Sequence, residues 1–218
     1  MSFQYACFIS YRHSDKEKTV KFIEQFVDAL ENSLDQRLQQ GVYIDRDRLK
    51  AGYKFNIAIA GALRESVCLI AILSPEYYNS DYCRREYVAM ERIENKRRAD
   101  LGIPPVHKGL VIPLLVWGTE EEVPQAIRGN LHYISMNFGL TNLRGEIKYD
   151  PNLIPIIEKI GDLICEHHKS FADGNHCQAA VDCCAGIDLP DLAEIGSWQQ
   201  ASASPLPLPS RTGSGGMP

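Results

Sequence analysis

Apolar residues gather in short unbroken runs at 5–10, 42–45, 67–73 and 110–116, with a weaker run at 132–135, each bounded by turn-forming residues. Such runs suit strands covered on both faces, as in a parallel sheet, better than the in-and-out alternation of a half-exposed one. Between them the period lengthens. Ile23, Phe26, Val27, Leu30, Leu34 and Leu38 recur at spacings of three and four, while Lys21, Glu24, Asp28, Glu31 and Asp35 fill the other side. This predicts an amphipathic helix over 16–39 that stops before Gly41. A short helix is expected over 56–65, a third over 81–98 with Ser80 as its N-cap, and a last over 152–171. Pro151 and Pro155 open that last helix, and Ile156, Ile157, Ile160, Leu163 and Ile164 make its apolar side. The resulting order, βαβαβαβ, is that of an α/β fold in three layers, with a central parallel sheet of about five strands flanked by helices.

The chain of 218 residues, 44% of them hydrophobic, has room for one well-buried domain and an extension. Beyond residue 172 the pattern fades, and the end reads ASASPLPLPSRTGSGGMP, rich in Pro, Ser and Gly. The expected division is a domain over 1–172 and a flexible tail or linker over 173–218. A linker reading makes the chain the front of a larger architecture; a tail reading does not. The net charge of −5 and pI near 5.7 provide no general attraction to nucleic acid. MSFQYACFIS lacks the charged and apolar regions of a signal peptide, and no apolar run approaches the roughly 20 residues of a membrane span, so the expected location is cytoplasmic, away from the membrane. Cys7, Cys68, Cys83, Cys165, Cys177, Cys183 and Cys184 are odd in number and lie partly in apolar runs, which reads as reduced thiols.

Chemistry is concentrated on the helix expected at 81–98. At about 100° per residue, Tyr82, Cys83, Glu86, Ala89, Met90 and Ile93 fall in one arc, whereas Arg84, Arg85, Glu91 and Arg92 point elsewhere. Glu86 is thus the acidic member of an otherwise apolar stripe. A carboxylate there is costly unless partnered, and such groups collect at active sites, though capped or ion-paired structural carboxylates also occur. Tyr11 and Arg12 follow the first strand, where open α/β sheets hold ligand groups. Arg12 could make a bidentate contact with a pyrophosphate or a surface ion pair with Asp15 or Asp45. Neither GxxxxGK[ST] nor GxGxxG is present, so a nucleotide would not be held by those phosphate loops. Cys165, His167, His168, His176, Cys177, Cys183 and Cys184 have a spacing that fits no common zinc pattern, and ordinary helix-end thiols and imidazoles account for them.

Three segments carry a family resemblance: FISYRHSD at 8–15, YIDRDRLKAGYKF at 43–55 and LSPEYYNSDYCRREYVAME at 73–91. In this order and spacing the chain resembles the TIR (Toll/interleukin-receptor) domains, and is most similar to the NAD-cleaving members of prokaryotic or plant-like defence proteins. The resemblance implies a flavodoxin-like fold and cytosolic self-assembly as a homo-oligomer or filament with other TIR domains. It also implies cleavage of the nicotinamide–ribose bond of NAD+, in immune defence or cell-death signalling. Glu86 falls where those members place their catalytic glutamate, and NAD+ enters as substrate, with neither metal nor bound cofactor required.

The same resemblance makes Tyr11, Arg12, Asp45, Leu49, Phe55, Tyr82 and Cys83 the substrate-binding candidates. Arg46, Asp47, Arg48, Lys50 and Gly52 become candidates for a self-association loop, where the bland reading is a solvated charge run. Tyr82 departs from the family, which often has Trp there; its aromatic face can stack on a base or ribose, or simply pack the first turn of the helix. A non-catalytic TIR scaffold is the alternative function. A phosphotransfer receiver would need an Asp at the end of the third strand, which here ends in LSP at 73–75.

Overall fold

A computed structural model describes residues 3–35, 37–45, 55–102, 109–128, 133–136, 146–172, 176–196 and 198. Strands β1 (Tyr5–Tyr11), β2 (Gly41–Ile44), β3 (Ser66–Leu73), β4 (Val111–Leu115) and β5 (Ile134–Ser135) form one sheet in the order β2-β1-β3-β4-β5. Every pairing is parallel, with Phe8 opposite both Tyr43 and Leu69, and Ile70 opposite Ile112. All eight residues of β3 are buried, as its continuous apolar run requires of a strand covered on both faces. β4 carries Pro113 in its middle, a residue that removes a ladder donor. The register explains its tolerance: β5 begins to pair only at Leu114, so at Pro113 the strand has a neighbour on one side only.

Helix α1 (Glu17–Leu34) buries Phe22, Ile23, Phe26, Val27, Ala29, Leu30 and Leu34. It ends five residues before the expected limit at 39. Past it, Arg37 pairs with Glu158 and, at 2.7 Å, with Asp162, which ties the turn to helix α6 (Ile154–Ala172) instead of extending α1. α1 and α6 pack together on one face of the sheet, and α2 (Phe55–Glu65) and α4 (Asp81–Leu101) on the other. A one-turn helix, α3 (Pro75–Tyr78), precedes α4 and was not anticipated; another, α5 (Gln125–Arg128), lies between β4 and β5.

α2 runs into β3 with no intervening loop, so its last carbonyls need partners from elsewhere. Ser66 Oγ donates to the Ala62 carbonyl at 2.7 Å, Gln4 N to Glu65 at 2.9 Å, and Arg97 Nη2 to Arg64 at 2.7 Å. Arg97, on α4 and fully buried, also reaches the carbonyls of Ser66 (3.0 Å), Val67 (3.1 Å) and Ala180 (3.0 Å). Its guanidinium lies 4.8 Å from the Phe3 ring centroid and 5.5 Å from that of Phe171. A cation at a helix C-terminus is favourable, and here it caps α2 from a different helix.

The packed body continues past the boundary expected at 172. Helices α7 (Cys177–Asp182) and α8 (Leu192–Ile195) and the residues around them lie along α4. Ala180, Cys184, Leu189 and Trp198 join the core, and Trp198 meets Tyr87 edge-on at 5.1 Å. Arg85 Nε donates to the Pro190 carbonyl at 2.7 Å, and Arg92 pairs with Glu194 at 2.7 Å. The segment is held by isolated side chains and backbone carbonyls rather than a repeating face, so it leaves no period in the sequence. The part of the expected tail after residue 198 lies outside the described residues. Truncation after residue 172 is expected to lower the melting temperature by about 10 °C, since it uncovers apolar surface and removes one Arg97 partner. Thermal unfolding of the two proteins checks this; equal melting temperatures would make the segment dispensable.

Candidate functional site

In the strand order β2-β1-β3-β4-β5 the chain leaves β1 to one side and returns to build the other, so the carboxyl ends of β1 and β3 flank a topological switch point. Crevices at such points are where open α/β sheets bind ligands. Two side-chain caps steer the chain over it. Ser74 Oγ accepts from Tyr77 N at 3.1 Å with Pro75 in the first turn of α3, and Ser80 Oγ accepts from Cys83 N at 3.4 Å to start α4. The second turn of α4 then carries Glu86 to the end of β1.

Glu86 is fully buried, at 0% exposure, and Ser10 Oγ donates to its Oε2 at 2.6 Å. The Tyr77 hydroxyl stands 3.0 Å from Ser10 Oγ and 3.3 Å from the Cys83 carbonyl. Each hydroxyl carries one proton. With that of Ser10 committed to Glu86, that of Tyr77 goes to Ser10 or to Cys83. Burial raises the Tyr77 pKa well above the ordinary phenol value, with the Cys83 thiol and Glu86 adding to it, so Tyr77 stays a neutral donor. Glu86 is therefore held directly by the Ser10 hydroxyl, with the Tyr77 hydroxyl standing behind it.

One residue beyond Ser10, Tyr11 lines a cleft of about 520 Å³, together with Arg12, Val20, Ile23, Ile44 and Tyr82. An adjoining cleft of about 740 Å³ shares Tyr11 to Ser14 and continues to Ser74, Pro75 and Trp117, beyond the ends of β3 and β4. Both volumes fall in the range of small-molecule sites. Tyr11 stacks on His13 with ring centroids 4.5 Å apart. Arg12 is exposed and makes no ion pair among the described residues, so the pairs considered with Asp15 and Asp45 do not form there. Tyr82 is 39% exposed, with the Arg85 guanidinium 5.8 Å from its ring centroid. Of its arc, Cys83, Glu86, Ala89, Met90 and Ile93 are buried, so Tyr82 is the member turned to the cleft rather than packed in the core.

The structure thus gathers Tyr11, Arg12 and Tyr82 around one opening. Glu86 and Cys83 line neither cleft, and Asp45, half-buried after β2, lines neither as well. Arg46, Asp47, Arg48, Leu49, Lys50 and Gly52 lie outside the described residues, as does the side chain of Phe55, whose backbone opens α2. Sequence reasoning missed Ser10 and Tyr77. A hydroxyl closing an otherwise apolar strand was the available signal for Ser10. It also missed Arg97, although the stripe of Glu86, Met90 and Ile93 reaches it when carried one turn further. Among the described residues no group of three or more His, Cys, Asp or Glu is arranged to hold a metal ion. Among them, too, no helix is long and apolar enough to cross a membrane.

Two comparisons bear on this arrangement. A family model described as TIR domain matches residues 7–144, which takes in all of β2 to β5, most of β1, and the helix that carries Glu86. Comparison with curated proteins yields no match.

Proposed function

The chain belongs to the TIR-domain family, and on that premise we propose that it is an NAD+ glycohydrolase that cleaves the nicotinamide–ribose bond on self-assembly. The observation that supports this most is Glu86: a carboxylate in an apolar helix stripe, desolvated at the switch point and one strand residue from a ligand-sized cleft. Such a group is costly to keep in a core for packing alone. Loss of nicotinamide leaves an oxocarbenium-like ribose, and a nearby carboxylate lowers the energy of that state electrostatically. Water then completes hydrolysis, or a nucleophile within the same molecule completes cyclisation. Tyr82 and Tyr11 offer aromatic faces for a base or ribose, and Arg12 an exposed guanidinium for the pyrophosphate.

The enclosure of Glu86 bears on regulation. Since it is fully buried and lines neither of these clefts, substrate meets it only after its surroundings rearrange. TIR domains generally interact with one another, and such contact is the natural source of that rearrangement. The loop with Arg46, Asp47, Arg48, Lys50 and Gly52 is the segment we assign to self-association, with Leu49 and Phe55 as its apolar contacts. Charge reversal at Arg48 and Lys50 is expected to weaken assembly, seen as a lower scattering mass at matched concentration. Unchanged scattering would remove the loop from the interface.

The same enclosure also favours a second reading, in which Glu86 with Ser10 is a structural pair and the chain is a scaffold recruiting other TIR domains. NAD+ consumption and nicotinamide release by concentrated protein, with a crowding agent to promote assembly, separate the two. Turnover supports the enzyme, and its absence under every assembling condition supports the scaffold.

A further inference from the structure

The segment that packs along α4 brings adjacent cysteines next to the buried Arg97. Cys183 caps the end of α7 and is half-buried, whereas Cys184 is fully buried. Their sulfurs are 3.5 Å apart, and both thiols are free. Cys183 Sγ also donates to the Ala180 carbonyl at 3.5 Å, the same carbonyl that receives Arg97 Nε, and Cys184 Sγ donates to the Ile93 carbonyl at 3.8 Å. The pair is held in place from α4 on one side and α7 on the other.

We infer that Cys183 and Cys184 are a reactive vicinal dithiol whose reagent is a small-molecule disulfide, with Cys183 attacking first and Cys184 closing the protein disulfide. The accessible member has to open the reaction, and that is Cys183. Its thiolate attacks one sulfur of the small disulfide, forming a mixed disulfide and expelling one thiolate, which takes up the proton that Cys183 gave to solvent. Cys184 then attacks the Cys183 sulfur, the second small thiolate leaves, and the Cys184 proton ends on it. The protein dithiol is oxidised and one small disulfide is reduced to its thiols.

Two physical features shape this chemistry. Burial pushes the Cys184 thiol up to about 12 even though the Arg97 guanidinium acts in the opposite direction, so Cys184 reacts second and closure quickens as pH rises. Neighbouring Cα atoms sit about 3.8 Å apart across a trans peptide, less than the roughly 4.4 Å lower limit of ordinary disulfides, so the closed form is strained and readily reduced. A labile, reversible link follows, placed against the helix that carries Glu86.

The test treats the full reduced chain with 4,4′-dithiodipyridine and maps cysteines by peptide mass spectrometry. Expected in the wild type is a peptide with Cys183 joined to Cys184, lighter by the mass of both thiol hydrogens and free of pyridyl adduct. C184S should keep a stable pyridyl adduct on Cys183, and C183S should label Cys184 at least about 10-fold more slowly. Separate adducts on both cysteines, bonds from either to Cys165 or Cys177, or equal labelling rates in the two variants would overturn the assignment. These readouts do not involve NAD+ and stand whether or not the chain is an enzyme.

Discussion

Glu86→Gln is expected to lower NAD+ cleavage by at least about 100-fold while moving the unfolding midpoint little. The rate effect follows from removing the charge that faces the developing oxocarbenium; loss of one well-placed electrostatic partner commonly costs 10²–10³ in turnover. The small stability effect follows from shape. Glutamine fills the same volume, and its amide oxygen can still accept from Ser10, which donates at 2.6 Å in the wild type. Nicotinamide release and thermal unfolding, measured on the same preparations under assembling conditions, check both halves. A variant that keeps its fold and its full activity would exclude Glu86 from catalysis. Activity and fold lost together would make Glu86 a structural group, and then Ser10 and Tyr77 would be read as its packing partners.

Arg97→Met should destabilise the fold by about 3 kcal/mol, or about 10 °C in melting temperature for a chain of this size. Methionine matches the length and can pack against Phe3 and Phe171, so apolar contact is largely kept. What disappears are the bonds to the carbonyls of Arg64, Ser66, Val67 and Ala180. Each buried acceptor left without a partner costs roughly 1–3 kcal/mol, which relief from burying the guanidinium offsets in part. That burial is itself unfavourable, lowering the Arg97 pKa, chiefly through desolvation. Arg97→Lys should fall between, because one ammonium cannot span four carbonyls on three different elements. Urea unfolding of the three proteins is the measurement, and a methionine variant as stable as the wild type would mean that the charge penalty cancels the bonds.

Much of the fold was legible along the chain. The apolar runs located all five strands to within a residue or two; β1, β3 and β4 are the buried ones, and a strand buried on both faces needs no polar positions. The period of α4 placed Glu86 inward for the same kind of reason, and Glu86 is buried as the arc requires. α1 was drawn too long because its apolar period runs on to Leu38, while the actual end is decided by Arg37 reaching α6. The site was half legible: Tyr11, Arg12 and Tyr82 do meet around one cleft, but Cys83 and Asp45 do not join them.

The sequence by itself determined the class of fold, the order of its elements and the one acidic position set in an apolar helix face, since these rest on side-chain burial, which repeats with the period of the backbone. Only the tertiary structure decided that Ser10 holds Glu86 with Tyr77 beside it, that Arg97 caps α2 from a neighbouring helix, and that residues 176–196 and Trp198 belong to the packed body. Those contacts join single side chains to atoms, many of them backbone carbonyls, tens of residues away. Carbonyls are the same at every position, so the sequence carries no mark of which one a distant arginine or hydroxyl will find.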